Sequence, residues 1–154
     1  RLEAATKQYG VSLLLSEAFY SELTQARQGH CRPLDRVTLK GSAVPMNLYT
    51  YDVKHEHSSK PVSVDPSSRA PPEPLPNVDT SHTTATDERL WNSIFTAYRA
   101  GFWSKCKELL SIYRLRCPDD SPSLVMWDYL RSQDFKMPGK FKPGDYFFRS
   151  LTSK

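Results

Sequence analysis

Glycine and cysteine are scarce in this chain, and their scarcity excludes several kinds of site. Only 6 of the 154 residues are glycine, and neither a GxGxxG stretch nor a P-loop occurs. The 3 cysteines are Cys31, Cys106 and Cys117, an odd number with no CxxC pair among them. The sequence therefore signals neither a zinc site nor a disulfide framework, and we expect reduced thiols.

The chain also lacks a dense basic stripe and a long apolar run. Its formal net charge is +4. The excess falls in residues 87–154, which carry 12 basic and 8 acidic side chains. Nucleic-acid-binding domains usually concentrate positive charge more strongly than this, so we expect no nucleic-acid partner. No apolar run approaches the roughly 20 residues that a membrane-spanning helix needs.

The opening residues are typical of an α+β class, with short helices and strands in alternation. Residues 1–9 are rich in helix formers and begin as if in mid-helix, so we expect the parent protein to extend upstream. Gly10 is a typical helix stop. Val11–Leu15 has the length of a buried strand, and Ser16 is placed to cap a second helix.

Residues 34–53 predict a β-hairpin with its turn at Gly41-Ser42-Ala43. Polar and apolar side chains alternate along this strand, so the polar ones lie on the face opposite Val37 and Leu39. The polar side chains on that face are Arg36, Thr38 and Lys40. The pattern leaves open whether Asp35 and Arg36 share a face or pair with each other, and both are taken as structural.

The remainder divides by composition into a linker and a helical tail. Residues 54–86 hold six prolines in a Ser/Thr/Asp-rich stretch, which predicts a flexible, disordered linker. Residues 87–154 predict a small α-helical hairpin. We expect its core to include Trp91, Phe95, Phe102 and Leu109. Residues 133–154 are expected to be irregular, anchored by Phe141, Tyr146, Phe147 and Phe148.

Two segments in residues 1–53 resemble the class III nucleotidyl cyclase catalytic domain. RLEAATKQYGVSLLLSEAFY is similar to the stretch that follows the catalytic asparagine of that family. CRPLDRVTLKGSAVPMNLYTYDV is similar to its closing β-hairpin, with a (V/T)-x-K-G core and a Y-x-(Y/F) end. The resemblance implies the C-terminal part of a ferredoxin-like cyclase domain, covering about a third of the chain.

The resemblance implies two site residues in this chain. Arg1 matches the arginine that stabilises negative charge on the α-phosphate in the transition state, a role that suits a planar guanidinium. Lys40 matches the lysine that binds the terminal phosphates of the nucleotide. The family's two metal-binding aspartates and its asparagine lie upstream of Arg1. The Mg²⁺ or Mn²⁺ cofactors would therefore have no ligand in this chain.

The function implied by the resemblance is that of a phosphorus–oxygen lyase in cyclic-nucleotide signalling. Its substrate is a nucleoside triphosphate, ATP in preference to GTP, and its products are the 3′,5′-cyclic monophosphate and pyrophosphate. The parent is expected to be a cytoplasmic homodimer, with any membrane anchor upstream, and this fragment is expected to be inactive alone. The alternative is a non-enzymatic interaction module whose helical tail binds a protein partner.

One further motif has a superficial likeness to a metal site. His55-Glu56-His57 alternates two imidazoles with a carboxylate, but residues i and i+2 do not share a helix face. The motif also opens the predicted linker. We therefore expect a solvated loop there.

Overall fold

The computed structural model describes residues 2–39, 43–51, 80–141 and 145–151. Within these ranges short helices and strands come first and longer helices follow. The helices are α1 (Leu2–Tyr9), α2 (Glu17–Ser21), α3 (Gln25–Gln28), α4 (Thr80–Arg99), α5 (Trp103–Arg116) and α6 (Ser121–Ser132). The strands are β1 (Leu15–Ser16), β2 (Cys31–Leu39), β3 (Met46–Tyr51) and β4 (Arg149–Leu151). The α+β class is therefore confirmed.

The strands of the described part form one mixed sheet in the order β1-β3-β2-β4. Strand β3 is antiparallel to both β1 and β2, which confirms the hairpin between β2 and β3. Strand β4 runs parallel to β2 on its other side. The register of β2 with β3 shifts between Pro33 and Asp35. Gly41 and Ser42, expected in the turn, lie outside the described residues.

Local signals set the end of α1 and the start of α2 as expected, whereas the strand expected over Val11–Leu15 is the two-residue β1, Leu15–Ser16. Helix α1 ends at Tyr9, and Gly10 follows with φ +63°. A side chain at Gly10 would also be only 2.6 Å from Ser121 Cβ at the start of α6, so glycine meets both a conformational and a packing need. Ser16 caps α2, because its hydroxyl accepts a hydrogen bond from the Phe19 amide at 3.2 Å.

The sheet and the helices of residues 80–132 share one hydrophobic core. It includes Val37 and Leu48 from the sheet together with Ile94, Leu110 and Leu130 from the helices, all fully buried. The Trp91 indole N–H also donates to the Pro33 carbonyl at 2.7 Å. The prediction separated residues 1–53 from a tail at 87–154, whereas the described residues of both segments pack together. Helix α4 packs against both α5 and strand β2.

The linker boundary also differs from the prediction. Helix α4 begins at Thr80, so residues 80–86 are helical although they were expected to belong to the linker. Their Ser/Thr-rich sequence has low helix propensity, which concealed this extra length. The rest of the predicted linker, from residue 54 to 79, lies outside the described residues.

The expected hairpin core is correct on α4 and wrong at one position beside α5. Trp91 and Phe95 are buried, but Phe102 is 68% exposed, and Trp103 is the side chain that fills the core at 1% exposed. Phe102 precedes the first turn of α5. Trp103, Cys106, Leu110 and Tyr113 follow helical spacing and are buried on one face of α5.

The C-terminal residues are more ordered than the sequence predicts. Residues 149–151 form β4, where only irregular structure was expected. Phe147 does anchor this segment, at 1% exposed, whereas Tyr146 is 56% exposed. A three-residue strand is too short to leave a periodic signal. Among the described residues, no helix combines the length and hydropathy needed to cross a membrane.

Candidate functional site

The two predicted site residues border the described elements. Arg1 immediately precedes α1, and Lys40 immediately follows β2. Both residues lie outside the described part of the chain, as does His55-Glu56-His57. The structure therefore describes only the elements that adjoin Arg1 and Lys40 in the sequence, α1 and β2.

A buried hydrogen bond joins these two elements. The Tyr9 hydroxyl at the end of α1 donates to Asp35 Oδ2 of β2 at 2.7 Å. Tyr9 is 2% exposed and Asp35 is 1% exposed. A hydrogen bond in such a setting is shielded from competition by water. It therefore fixes the end of α1 against the middle of β2.

Asp35 also binds groups from the C-terminal half of the chain. Tyr98 of α4 donates its hydroxyl to Oδ1 at 2.9 Å, and Arg149 of β4 donates Nη1 to Oδ2 at 3.1 Å. The Arg36 backbone N–H donates to Oδ1 at 2.8 Å. We refer to Asp35, Tyr9, Tyr98 and Arg149 as the Asp35 cluster. It ties α1, α4 and β4 to one carboxylate on β2.

The donors around Asp35 favour its ionised form. The Arg149 guanidinium and the Arg36 amide can only donate, and each occupies a different carboxylate oxygen. Burial raises the pKa of Asp35 above its ordinary value, while Arg149 and the hydrogen bonds act in the opposite direction. Burial and the nearby carboxylate raise the pKa of Tyr9 and of Tyr98. Both phenols therefore remain protonated donors.

Arg36 lies on the opposite face of β2 from Asp35, so the two side chains neither share a face nor pair. Arg36 instead donates Nη1 to the Tyr146 carbonyl at 3.1 Å. It borders an open cleft of about 470 Å³ that is also lined by Pro45, Lys140, Phe141, Asp145, Tyr146 and Phe148. Two cations, one carboxylate and three aromatic rings could hold a small anion with a planar group.

A second cleft, of about 250 Å³, lies at the other end of the sheet. Arg32 and Asp120 both line it and form a buried ion pair. Asp120 also caps α6 by accepting from the Ser123 amide at 2.9 Å. This carboxylate is thus engaged in holding β2 against α6.

The described residues do not provide a metal site. They contain no group of three His, Cys, Asp or Glu side chains placed to bind an ion. Asp35 is surrounded by donors, which leaves its oxygens no room for a cation. The Mg²⁺ or Mn²⁺ implied by the family resemblance therefore does not fit this part of the chain.

The sequence contained a partial signal for the Asp35 cluster. Asp35 lies two residues before the inward-facing Val37 on β2, so the two side chains share a face of the strand. The alternation therefore indicates a carboxylate on the apolar face. Such a buried charge requires donors. The donors themselves could not be identified, because Tyr98 and Arg149 are separated from Asp35 by 63 and 114 residues.

Comparisons with other proteins add no family to these observations. The chain matches no protein-family model, no curated protein and no solved structure.

Proposed function

We propose that this chain is the C-terminal part of a class III nucleotidyl cyclase domain, with the ferredoxin-like architecture of that family. The parent would convert ATP, in preference to GTP, to the 3′,5′-cyclic monophosphate and pyrophosphate. The observation that best supports this is the element order through residues 2–51, which ends in an antiparallel hairpin. The matching segments then place Arg1 before α1 and Lys40 after β2.

The two site residues have different proposed roles. Arg1 offers a planar fork of donors to charge that builds on the α-phosphate as cyclisation proceeds. Lys40 meets charge that the triphosphate already carries when it binds. The Asp35 cluster joins α1 to β2, the two elements next to which Arg1 and Lys40 stand in the sequence.

The rest of the proposed assembly lies outside this chain. The Mg²⁺ or Mn²⁺ ligands would be the family's two aspartates, which the resemblance places upstream of Arg1. A homodimeric, cytoplasmic parent is part of the same proposal, with any membrane anchor upstream.

The enzyme is preferred to the interaction module because of how the tail packs. Most of the large apolar side chains on the described part of α4, α5 and α6 are buried in the core that these helices share with the sheet, and two on α5, Ile112 and Leu115, are more than half exposed. A tail whose main function is to bind another protein would instead present an apolar stripe to solvent. If the parent protein has no catalytic activity, the interaction module is the favoured function.

Kinetic comparison of two variants in the parent protein tests the proposal. We expect Arg1→Ala to lower kcat with little change in KM, because its partner charge arises in the transition state. We expect Lys40→Ala to raise KM for the triphosphate, because its partner charge is present in the ground state. Cyclic product formed from ATP and from GTP, with Mg²⁺ or Mn²⁺ supplied, is the quantity measured.

The 154-residue chain alone is the control for the missing ligands. We expect it to make no cyclic product, and we expect addition of the upstream segment in trans to restore turnover. Product from the chain alone would contradict the assignment of the metal ligands. Absence of product from the whole parent would favour the interaction module.

A further inference from the structure

The cleft beside Arg36 has the size of a small-molecule site. Its volume is about 470 Å³, within the range of roughly 300–1,000 Å³ that is typical of ligand sites in proteins. Strand β2 contributes Arg36 to its lining, and the segment just before β4 contributes Tyr146 and Phe148. Because β2 and β4 pair with each other, the cleft lies where the N-terminal and C-terminal parts of the chain meet.

The aromatic rings of the cleft are held by other side chains. Phe148 packs edge-on against Phe141, with the ring centres 5.2 Å apart. The Tyr146 ring is 56% exposed, yet the guanidinium carbons of Arg99 and Arg36 lie 4.7 and 5.8 Å from its centre. These contacts restrict the rings before a ligand arrives, so a planar group that packs against them costs little side-chain freedom.

The charged side chains that line the cleft leave one positive charge in excess. Arg36 and Lys140 are cations, and Asp145 is an anion. In the part of the chain that the structure describes, neither cation forms an ion pair with a carboxylate. The bond from Arg36 to the Tyr146 carbonyl uses one of the five N–H donors that a guanidinium carries. A ligand with one negative charge would balance the cleft, whereas a dianion would exceed it.

We propose that this cleft binds a small aromatic monocarboxylate. Arg36 and Lys140 bind the carboxylate, and their charge attracts it. Tyr146 and Phe148 pack against the ring of the ligand. Asp145 in the same lining disfavours a polyanion. The site goes beyond the proposed cyclase function and does not rest on it, because the described side chains of the cleft supply every contact.

Titration of the 154-residue chain with indole-3-acetate, followed by amide NMR, tests the site. We expect the amide signals of Tyr146 and Phe148 to shift with a Kd of about 0.1–1 mM, which is ordinary for a ligand of this size. Indole lacks the carboxylate and acetate lacks the ring, so each should bind at least about tenfold more weakly. Phenyl phosphate, a dianion, should bind no more tightly than phenylacetate.

Variants of the lining assign the contacts. Arg36→Met removes the guanidinium and should weaken binding about tenfold or more, whereas Arg36→Lys keeps the charge and should weaken it less. Tyr146→Ala removes a ring and should weaken binding about three- to tenfold. The matched controls are Lys105→Met and Phe102→Ala, which remove an exposed cation and an exposed ring from outside the lining. Both controls should keep the wild-type Kd.

Circular dichroism and thermal melting establish that each variant is folded at the temperature of the titration. Absence of any shift up to about 10 mM indole-3-acetate in the folded wild-type chain would overturn the proposal. Equal binding of indole or of acetate would overturn it as well, because the cleft would then not recognise a ring and a carboxylate together. Binding that survives both Arg36→Met and Tyr146→Ala would place the ligand elsewhere and have the same consequence. Formation of cyclic product is a separate measurement, so the failure of either proposal leaves the other standing.

Discussion

The ion pair between Asp35 and Arg149 allows a quantitative test of how the two halves of the chain are joined. The Asp35 side chain is only 2% exposed and the Arg149 side chain 13%. Removing one member of a buried pair leaves the other charge uncompensated and costs about 3–5 kcal/mol. We therefore expect Asp35→Asn and Arg149→Met each to lower the free energy of unfolding by about 3 kcal/mol or more.

A double-mutant cycle isolates the pair from its surroundings. In Asp35→Asn/Arg149→Met neither charge remains, and the oxygen of the introduced amide still accepts a hydrogen bond from a tyrosine hydroxyl. The double variant should therefore lose about 1–3 kcal/mol less than the sum of the single variants. Urea denaturation followed by fluorescence of the buried Trp91 and Trp103 measures each free energy. With an m-value of about 1–3 kcal/mol/M, each single change shifts the midpoint by about 1 M or more.

An exposed ion pair on the same chain provides the matched control. Lys136 pairs with Asp134 at 2.8 Å, but both side chains are at least 80% exposed. Lys136→Met should leave the urea midpoint unchanged, because water and salt already screen such a pair. Strict additivity in the cycle, or an unchanged midpoint for Asp35→Asn, would refute the reasoning. The second result would mean that Asp35 is uncharged in the folded protein.

Two further predictions concern the helical core. Trp103→Ala should lower the free energy of unfolding by about 3–5 kcal/mol. Phe102→Ala should change the melting temperature little, because Phe102 is 68% exposed. If Phe102→Ala were the more destabilising of the two, the prediction from sequence that Phe102 belongs to the core would be correct. Burial raises the pKa of Cys106 to about 12, so native protein should resist alkylation there. Because the pKa of the unfolded thiol is lower, the folded form binds the proton more tightly, and stability falls as pH rises above about 8.5. The unfolded thiol accounts for about 2 kcal/mol of the unfolding free energy lost between pH 8 and 10, so Cys106→Ala should lose about that much less over this range. Equal losses in both proteins would contradict this.

Local signals were sufficient for much of the fold. The stop at Gly10, the cap at Ser16 and the alternation in β2 each depend on residues close in sequence. The apolar stripe on α4 is likewise a local period. These features were confirmed because short-range sterics and hydrogen bonding decide them in nearly any tertiary setting.

Long-range contacts decided what the sequence could not predict. In the sequence, Arg149 is one more cation in a basic tail. Only the fold brings it to Asp35, which lies 114 residues away along the chain. Phe102 and Trp103 are neighbouring large aromatic residues, and which of them is buried depends on where α5 begins. The candidate site is limited in the same way. Arg1 and Lys40 follow from the family resemblance alone and stay predictions.

The role of the tail follows from the requirements of a small sheet. A hairpin made of β2 and β3 alone would be marginal in water, and its fully buried Val37 and Leu48 would face solvent. The helices cover those side chains, and β4 pairs with part of the remaining edge of β2. Edge pairing also protects the strand from association with other chains. If residues 87–154 were a separable extension, another part of the protein would have to cover this face of the sheet. Among the described residues it is the helices that do so, which makes the tail part of the same fold as β2 and β3.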